Sequence, residues 1–385
     1  MTTRRNFLWC AGAGVGAMLV GPRMAFASVE SDRRFVFVIQ RGAADGLNIV
    51  VPYADPAYAS LRGALAIDPS AATKLDGTFA LHPSLVETAK MYAAQQALFV
   101  HAVASPYRDR SHFDGQNVLE TGGTAPYQMK DGWLNRLVSM LPASRANAIA
   151  LAPTVPLALR GSAEVTSYAP SALPQAPDDL LVRVSQLYSG DPQLHALWSS
   201  AMGARGLAAD AGARQDPASL GKLAASFLGR SDGPRIAMIE TGGWDTHQNQ
   251  GNVNGQLANR MKEFSDSIAA FWMDMGDDAE NITLVTMSEF GRTARQNGTG
   301  GTDHGTASAA MLLGGAVKGG RILADWPGLA PSALYQGRDL RPTLGLDSLI
   351  AAAAGETFGL DPVHVRATLF TQKTASPMPS RLLRT

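Results

Sequence analysis

Five short runs of apolar residues, many of them β-branched or aromatic, recur along the chain, and acids and histidines gather at their ends. The runs are Arg34–Ile39, Leu98–Val103, Arg235–Ile239, Asn281–Thr286 and Ala309–Leu313. A run of this length with so few polar interruptions reads as a strand buried on both faces, the kind a parallel sheet needs. Between the third and fourth runs, Leu257, Met261, Phe264, Ile268, Trp272 and Met275 recur at steps of three and four. That spacing is one apolar face of a helix. Strands joined by such helices predict an α/β fold with a mostly parallel central sheet, helices on both faces, and ligands at the carboxyl ends of the strands. The stretch 142–232, rich in Ala, Pro, Ser and Asp, reads as a less regular helical insertion or cap on the same domain, which spans 28–385.

Chemistry is therefore expected at the strand ends. Gly42-Ala43-Ala44-Asp45-Gly46 follows the first run, and Arg108-Asp109-Arg110-Ser111-His112-Phe113-Asp114 follows the second. Glu240 to His247 follows the third, Ser288-Glu289-Phe290-Gly291-Arg292 the fourth, and Thr302-Asp303-His304-Gly305 enters the fifth. The only cysteine, Cys10, lies in a segment expected to be removed, so a metal would be held by oxygen and imidazole groups alone. Such a set suits a divalent ion, zinc first, with magnesium, manganese or calcium as alternatives. Asp45, Asp245, His247, Glu289, Asp303 and His304 are the expected ligands, with Glu240, His112 and Asp114 behind them. An Asp before Gly, as in Asp45-Gly46, is also a common turn. His82, His101, His195 and His364 lie apart from acids and are read as structural.

At the amino end, Arg4-Arg5 precedes the apolar run Phe7–Val20, which stops at Gly21-Pro22-Arg23. It is shorter than the roughly 20 residues that a permanent membrane anchor needs. With Ala25-Phe26-Ala27 behind it, the pattern is a twin-arginine signal peptide over 1–27, cleaved after Ala27. The working form is then a folded protein exported to the periplasm or beyond. Lys plus Arg equals Asp plus Glu at 33 each, so no long-range pull toward nucleic acid or anionic lipid is expected.

Arg235-Ile-Ala-Met-Ile-Glu240-Thr-Gly-Gly-Trp-Asp245, the amphipathic segment after it, Leu284-Val-Thr-Met-Ser-Glu289, and His304 ahead of an apolar run resemble the metal-binding half of the alkaline phosphatase-like superfamily. More narrowly, Arg41-Gly-x-x-Asp45-Gly, Arg108 to Asp114, Gly243-Trp-Asp-Thr-His247, Ser288 to Arg292 and Gly301 to Gly305 resemble an exported bacterial family of unknown function within that sulfatase-like superfamily. The resemblance implies a metal-dependent hydrolase of phosphate or related oxyanion esters, with Ser111 as nucleophile ahead of Thr121-Gly122. Arg110 and Arg292 are the expected oxyanion clamp, because a planar guanidinium meets two oxygens at once. This chain has Asn249 where the superfamily places a His, and Glu289-Phe290 where Asp-His is common. The rival reading is a catalytically inactive exported protein that uses the metal for binding or assembly, with a protein partner yet to be identified.

Overall fold

Alternate side chains of β1 (Arg34–Gln40) enter two separate cores: Phe35, Phe37 and Ile39 one, Val36 and Val38 the other. In this computed structural model the described residues are 32–142, 147–170, 178–207, 216–371 and 377–384. The expected signal segment 1–27, with Cys10, lies outside them. Asp32–Thr385 forms one compact unit.

All five apolar runs are strands. Besides β1 they are β2 (Ala97–Ala104), β5 (Ile236–Thr241), β6 (Ile282–Met287) and β7 (Ser308–Leu313). With β3 (Ala148–Leu151), β4 (Thr166–Ser167), β8 (Arg321–Leu323) and β9 (Leu344–Gly345) they make a nine-stranded sheet. Its order is β8-β2-β7-β6-β1-β5-β3-β4, with β9 beside β2. β1 lies parallel between β5 and β6, Val38 standing opposite Ile239 on one side and Thr286 on the other. β7 is antiparallel to both its neighbours, whereas the other strand pairings of this sheet are parallel. This reversal brings the loop that enters β7 to the edge where β1, β5 and β6 end. The stretch 142–232 supplies β3 and β4 at the far edge of the sheet as well as helices, so it is part of the sheet and not only a cap.

Helices cover both faces. α2 (Trp133–Met140), α5 (Leu346–Phe358) and α6 (Pro362–Leu369) close one core, where Trp133 meets Phe37 edge-on at 5.0 Å and donates its indole N–H to the Leu119 carbonyl. α3 (Pro217–Leu228) and α4 (Gln256–Met275) close the other through Leu223, Phe227, Met261, Phe264, Ile268 and Phe271. Burying each such side chain contributes about 1.5–3 kcal/mol, which outweighs modest helix propensity. Gly276, in the left-handed region at φ +52, stops α4. No helix among the described residues is long and apolar enough to cross a membrane.

His101, on β2, is wholly buried and serves the fold. Its Nε2–H donates to the Val50 carbonyl at 2.9 Å while Nδ1 accepts from the Ala102 amide, a pattern only the neutral ring can make. Burial pushes its pKa from 6.5 down to about 4. Between those values the unfolded chain binds a proton that the folded one refuses, so stability falls as pH drops through this window. The expected loss at this one site is roughly 3 kcal/mol. Urea unfolding at pH 7 and pH 4.5 checks it: His101→Gln should lose less stability on acidification than wild type, and equal losses would assign the acid sensitivity elsewhere.

Candidate metal centre

Four side chains from two strand ends and the start of one helix converge at the edge of the sheet. Asp245 and His247 follow β5, His304 precedes β7, and His112 opens α1 (His112–Thr121), the helix after β2. The Asp245 Oδ1 atom lies 3.3 Å from His112 Nε2, 3.2 Å from His247 Nε2 and 3.5 Å from His304 Nε2. The His247 and His304 Nε2 atoms face each other at 2.8 Å. Ligand atoms on a tetrahedron around zinc, at about 2.0–2.1 Å from the ion, stand about 3.3 Å apart. The ligand atoms, all within 4.8 Å of one another, are thus near the spacing that a metal ion needs.

The outer nitrogens explain why the inner ones point to one place. His112 Nδ1 donates to Glu289 Oε1 at 2.7 Å, and His304 Nδ1 donates to the Arg110 carbonyl at 2.8 Å. His247 Nδ1 faces Asp303 Oδ1 at 3.6 Å. A carbonyl can only accept, so the proton of neutral His304 is on Nδ1 and its Nε2 lone pair faces inward. His112 Nε2 is buried with no hydrogen-bond partner among the described residues, an orphaned acceptor in the same spot. Inward lone pairs and a carboxylate oxygen gathered in this way favour a positive charge among them, either a metal ion or a proton on His247 Nε2.

The charges of the site are set by its surroundings. Burial opposes ionisation of Asp245, but the hydrogen bond from Arg292 overcomes it and holds the carboxyl below its ordinary value. Burial likewise opposes ionisation of Glu289, which hydrogen bonds from His112, Gln116 and the backbone overcome. The Glu289 hydrogen bond raises the pKa of His112, whereas burial lowers that of His304. Close backbone approaches fix the loops. At Gly42, φ is +116 and a Cβ would lie 2.6 Å from the Asp245 amide; at Gly301 it would lie 2.3 Å from the His247 carbonyl carbon.

Several expected site residues occupy other roles here. Asp45 is buried, pairing with Arg62 and accepting from Gln250 Nε2 at 2.7 Å and the Leu47 amide at 3.2 Å, so its oxygens are used in the turn after β1. Glu289 and Asp303 stand behind His112 and His247 instead of in the inner group. The clamp expected of Arg110 and Arg292 is not what the structure builds. Arg292 is buried, donating to the Gly42, Ala43, Trp244 and Thr302 carbonyls and pairing with Asp245. Arg110 closes its fork on Asp339 Oδ2 at 2.7 and 3.0 Å. Glu240 pairs with Arg41 and Asp114 interacts with the Tyr127 hydroxyl, both outside the inner group. Ser111 occupies the N-cap position of α1 without making a side-chain cap hydrogen bond.

The family described as Protein of unknown function (DUF1501) matches residues 32–369. The chain belongs to that family. No curated protein matches it in sequence. Among solved structures it is similar to the C-terminal periplasmic domain of EcEptC from Escherichia coli in complex with Zn, at 10% identity and a TM-score of 0.38, covering 75% of this chain and 74% of that one. It is also similar to Ps i-CgsB in complex with k-i-k-neocarrahexaose, at 11% identity and a TM-score of 0.39, covering 87% and 74%.

In this DUF1501 chain, the inner residue that sequence reasoning ranked too low is His112. Its signal was available: Arg-Ser-His-Phe-Asp stands between a buried strand and a helix, where a first-turn side chain can look back at the sheet edge. Glu289 gives the matching prediction. Glu289→Gln keeps the shape and removes the charge that orients His112, so zinc affinity should fall about tenfold or more in a competition titration, the usual cost of losing an outer carboxylate. Unchanged affinity would show that Glu289 serves only the loop.

Proposed function

We propose that this protein is a metal-dependent hydrolase of phosphate or related oxyanion esters, sulfate and phosphonate esters included, on an alkaline phosphatase-like, sulfatase-like scaffold. It would work in the periplasm or outside the cell, after folded export through the twin-arginine route. The observation that carries the reading is the convergence of His112, Asp245, His247 and His304 beside the first turn of α1, with Asp245 and His247 side chains about two-fifths exposed. Three imidazoles and one carboxylate favour zinc over magnesium or calcium, which prefer oxygen.

A divalent ion held there would polarise the ester oxygens and lower the pKa of a hydroxyl beside it. Ser111 supplies that hydroxyl. The residue before it accepts a hydrogen bond from His304, the residue after it is His112, and its amide donates to the Tyr107 hydroxyl at 3.1 Å. The helix terminus at Ser111 favours an anion alongside. The serine oxygen would displace the alcohol from phosphorus, and water would then release phosphate and restore the serine. Arg292 acts one step back, fixing Asp245 and the Gly42-Ala43 turn.

A second reading, a catalytically inactive metal-binding or assembly protein, draws support from the count of inner groups. Four protein ligands can complete the shell of a structural zinc site. Metal analysis of the purified protein, followed by assay on chromogenic phosphate monoesters, diesters and sulfate esters, separates the two. Turnover that tracks bound metal supports the hydrolase. Bound metal without turnover on any ester supports the second reading, and a protein that binds no divalent ion sinks both.

A further inference from the structure

Arg110 stands just before Ser111 and His112 and holds a left-handed backbone at φ +62. That conformation is uncommon for a residue with a long side chain and persists where the surroundings impose it. Here the side chain is what is held. Its Nε and Nη2 atoms donate to Asp339 Oδ2 at 3.0 and 2.7 Å, and Nη2 also donates to Gln336 Oε1 at 2.8 Å. Asp339 is wholly buried, and its other oxygen accepts from Arg338 at 3.1 Å. The Oδ2 atom that takes the Arg110 fork also accepts from the Thr306 hydroxyl at 2.8 Å, and Thr306 lies in the loop that carries His304 into β7. One buried carboxylate thus ties the residue ahead of Ser111 and His112 to the loop of His304. The two loops meet a second time where His304 Nδ1 donates to the Arg110 carbonyl at 2.8 Å.

We propose that Asp339 and Arg110 are positioning residues of the metal centre, a brace that fixes His304 and His112 relative to each other. This inference rests on the metal-binding part of the proposed function and adds a residue, Asp339, that touches none of the inner group. The backbone turn at Arg110 sets where its carbonyl points, and that carbonyl holds the Nδ1 proton of His304 so that Nε2 faces inward. A residue with a Cβ is strained in that turn, and the charge-assisted fork on Asp339 opposes its relaxation. Thr306 holds the other loop to the same oxygen. The guanidinium of Arg110 therefore acts on the centre through its own backbone, and Asp339 acts through Arg110 and Thr306.

The test is zinc affinity by competition titration of Arg110→Ala, Arg110→Gly and Asp339→Asn, with the melting temperature of each metal-free protein recorded beside it. Arg110→Ala removes the fork and leaves a residue that is strained in the left-handed turn, so affinity should fall about tenfold or more, the scale of losing an outer partner. Arg110→Gly removes the same fork but adopts the turn without a steric penalty, so most of that loss should be recovered. Asp339→Asn should also weaken zinc binding, and adding Arg110→Ala to it should cost little more, because both break one link. If Asp339→Asn does not fold, the comparison of Arg110→Ala with Arg110→Gly decides, since that side chain is only partly buried. A role in the fold alone would move the melting temperature and leave zinc affinity of the folded protein unchanged. That outcome, or an Arg110→Gly affinity as low as that of Arg110→Ala, overturns the brace while leaving the metal centre intact. A wild type that binds no zinc overturns the centre itself, and the brace with it.

Discussion

His304→Ala should lower zinc affinity by about a hundredfold or more, His247→Ala should do the same, and the double substitution should cost little more than either alone. The reason is geometric. His247 and His304 present Nε2 atoms 2.8 Å apart beside the same Asp245 oxygen, so either loss opens one shared shell. Additive losses would mean two independent positions. His247 is the cleaner probe, because its half-exposed side chain leaves no buried void. Asp245→Ala should behave differently, for it also strips the buried guanidinium of Arg292 of its only carboxylate contact among the described residues, and a buried charge without its partner destabilises the fold. Asp245→Ala should therefore lower the melting temperature of the metal-free protein, whereas His247→Ala should not. Chelation of the wild type should lower it as well: at about a thousand times the dissociation constant, a bound ion contributes about 4 kcal/mol to the native state.

How much of this was legible in the sequence follows from what each pattern encodes. The five apolar runs could be read as strands because burial on both faces leaves no polar alternation to confuse them. Their direction could not: β7 packs Ala310 and Leu312 into one core and Met311 into the other, as a parallel strand would, and nothing local in Ser308–Leu313 tells an antiparallel strand from a parallel one. Ala148–Leu151 escaped notice as a strand because two of its four residues are alanine, and its place in the sheet is decided by β5 beside it.

The site divides along the same line. Residue type and position after a strand were enough to bring Asp245, His247 and His304 together on paper. They were not enough to separate an inner from an outer layer, since a carboxylate that binds a metal and one that orients a histidine are the same group at two distances. Asp245 and Glu289 show it: Asp245 lies at the inner nitrogen of His112, 3.3 Å from Nε2, and Glu289 at the outer one, 2.7 Å from Nδ1. Asp45 shows a further limit. Its destination was decided by Arg62 and Gln250, which lie 17 residues after it and 205 residues after it and carry no motif of their own.

Ser111→Ala should leave zinc content and melting temperature unchanged while lowering ester turnover by several orders of magnitude, because a nucleophile and the groups that activate it act as a unit. The competing role for a serine at this position is helix capping, and its loss would cost about 1 kcal/mol of stability and spare the rate. The structure already separates the two to a degree: Ser111 sits at the N-cap of α1 with extended backbone, yet its side chain makes no capping hydrogen bond. Its backbone is fixed by contacts that do not involve the hydroxyl, through the Tyr107 hydroxyl at its amide and the Gly115 amide at its carbonyl, 3.1 and 2.8 Å away. Alanine can satisfy both. A fall in rate without a fall in stability therefore points to chemistry at the oxygen atom itself. A fall in melting temperature with the rate preserved would return Ser111 to the fold, and a water at the open side of Asp245 and His247 would become the nucleophile to test next.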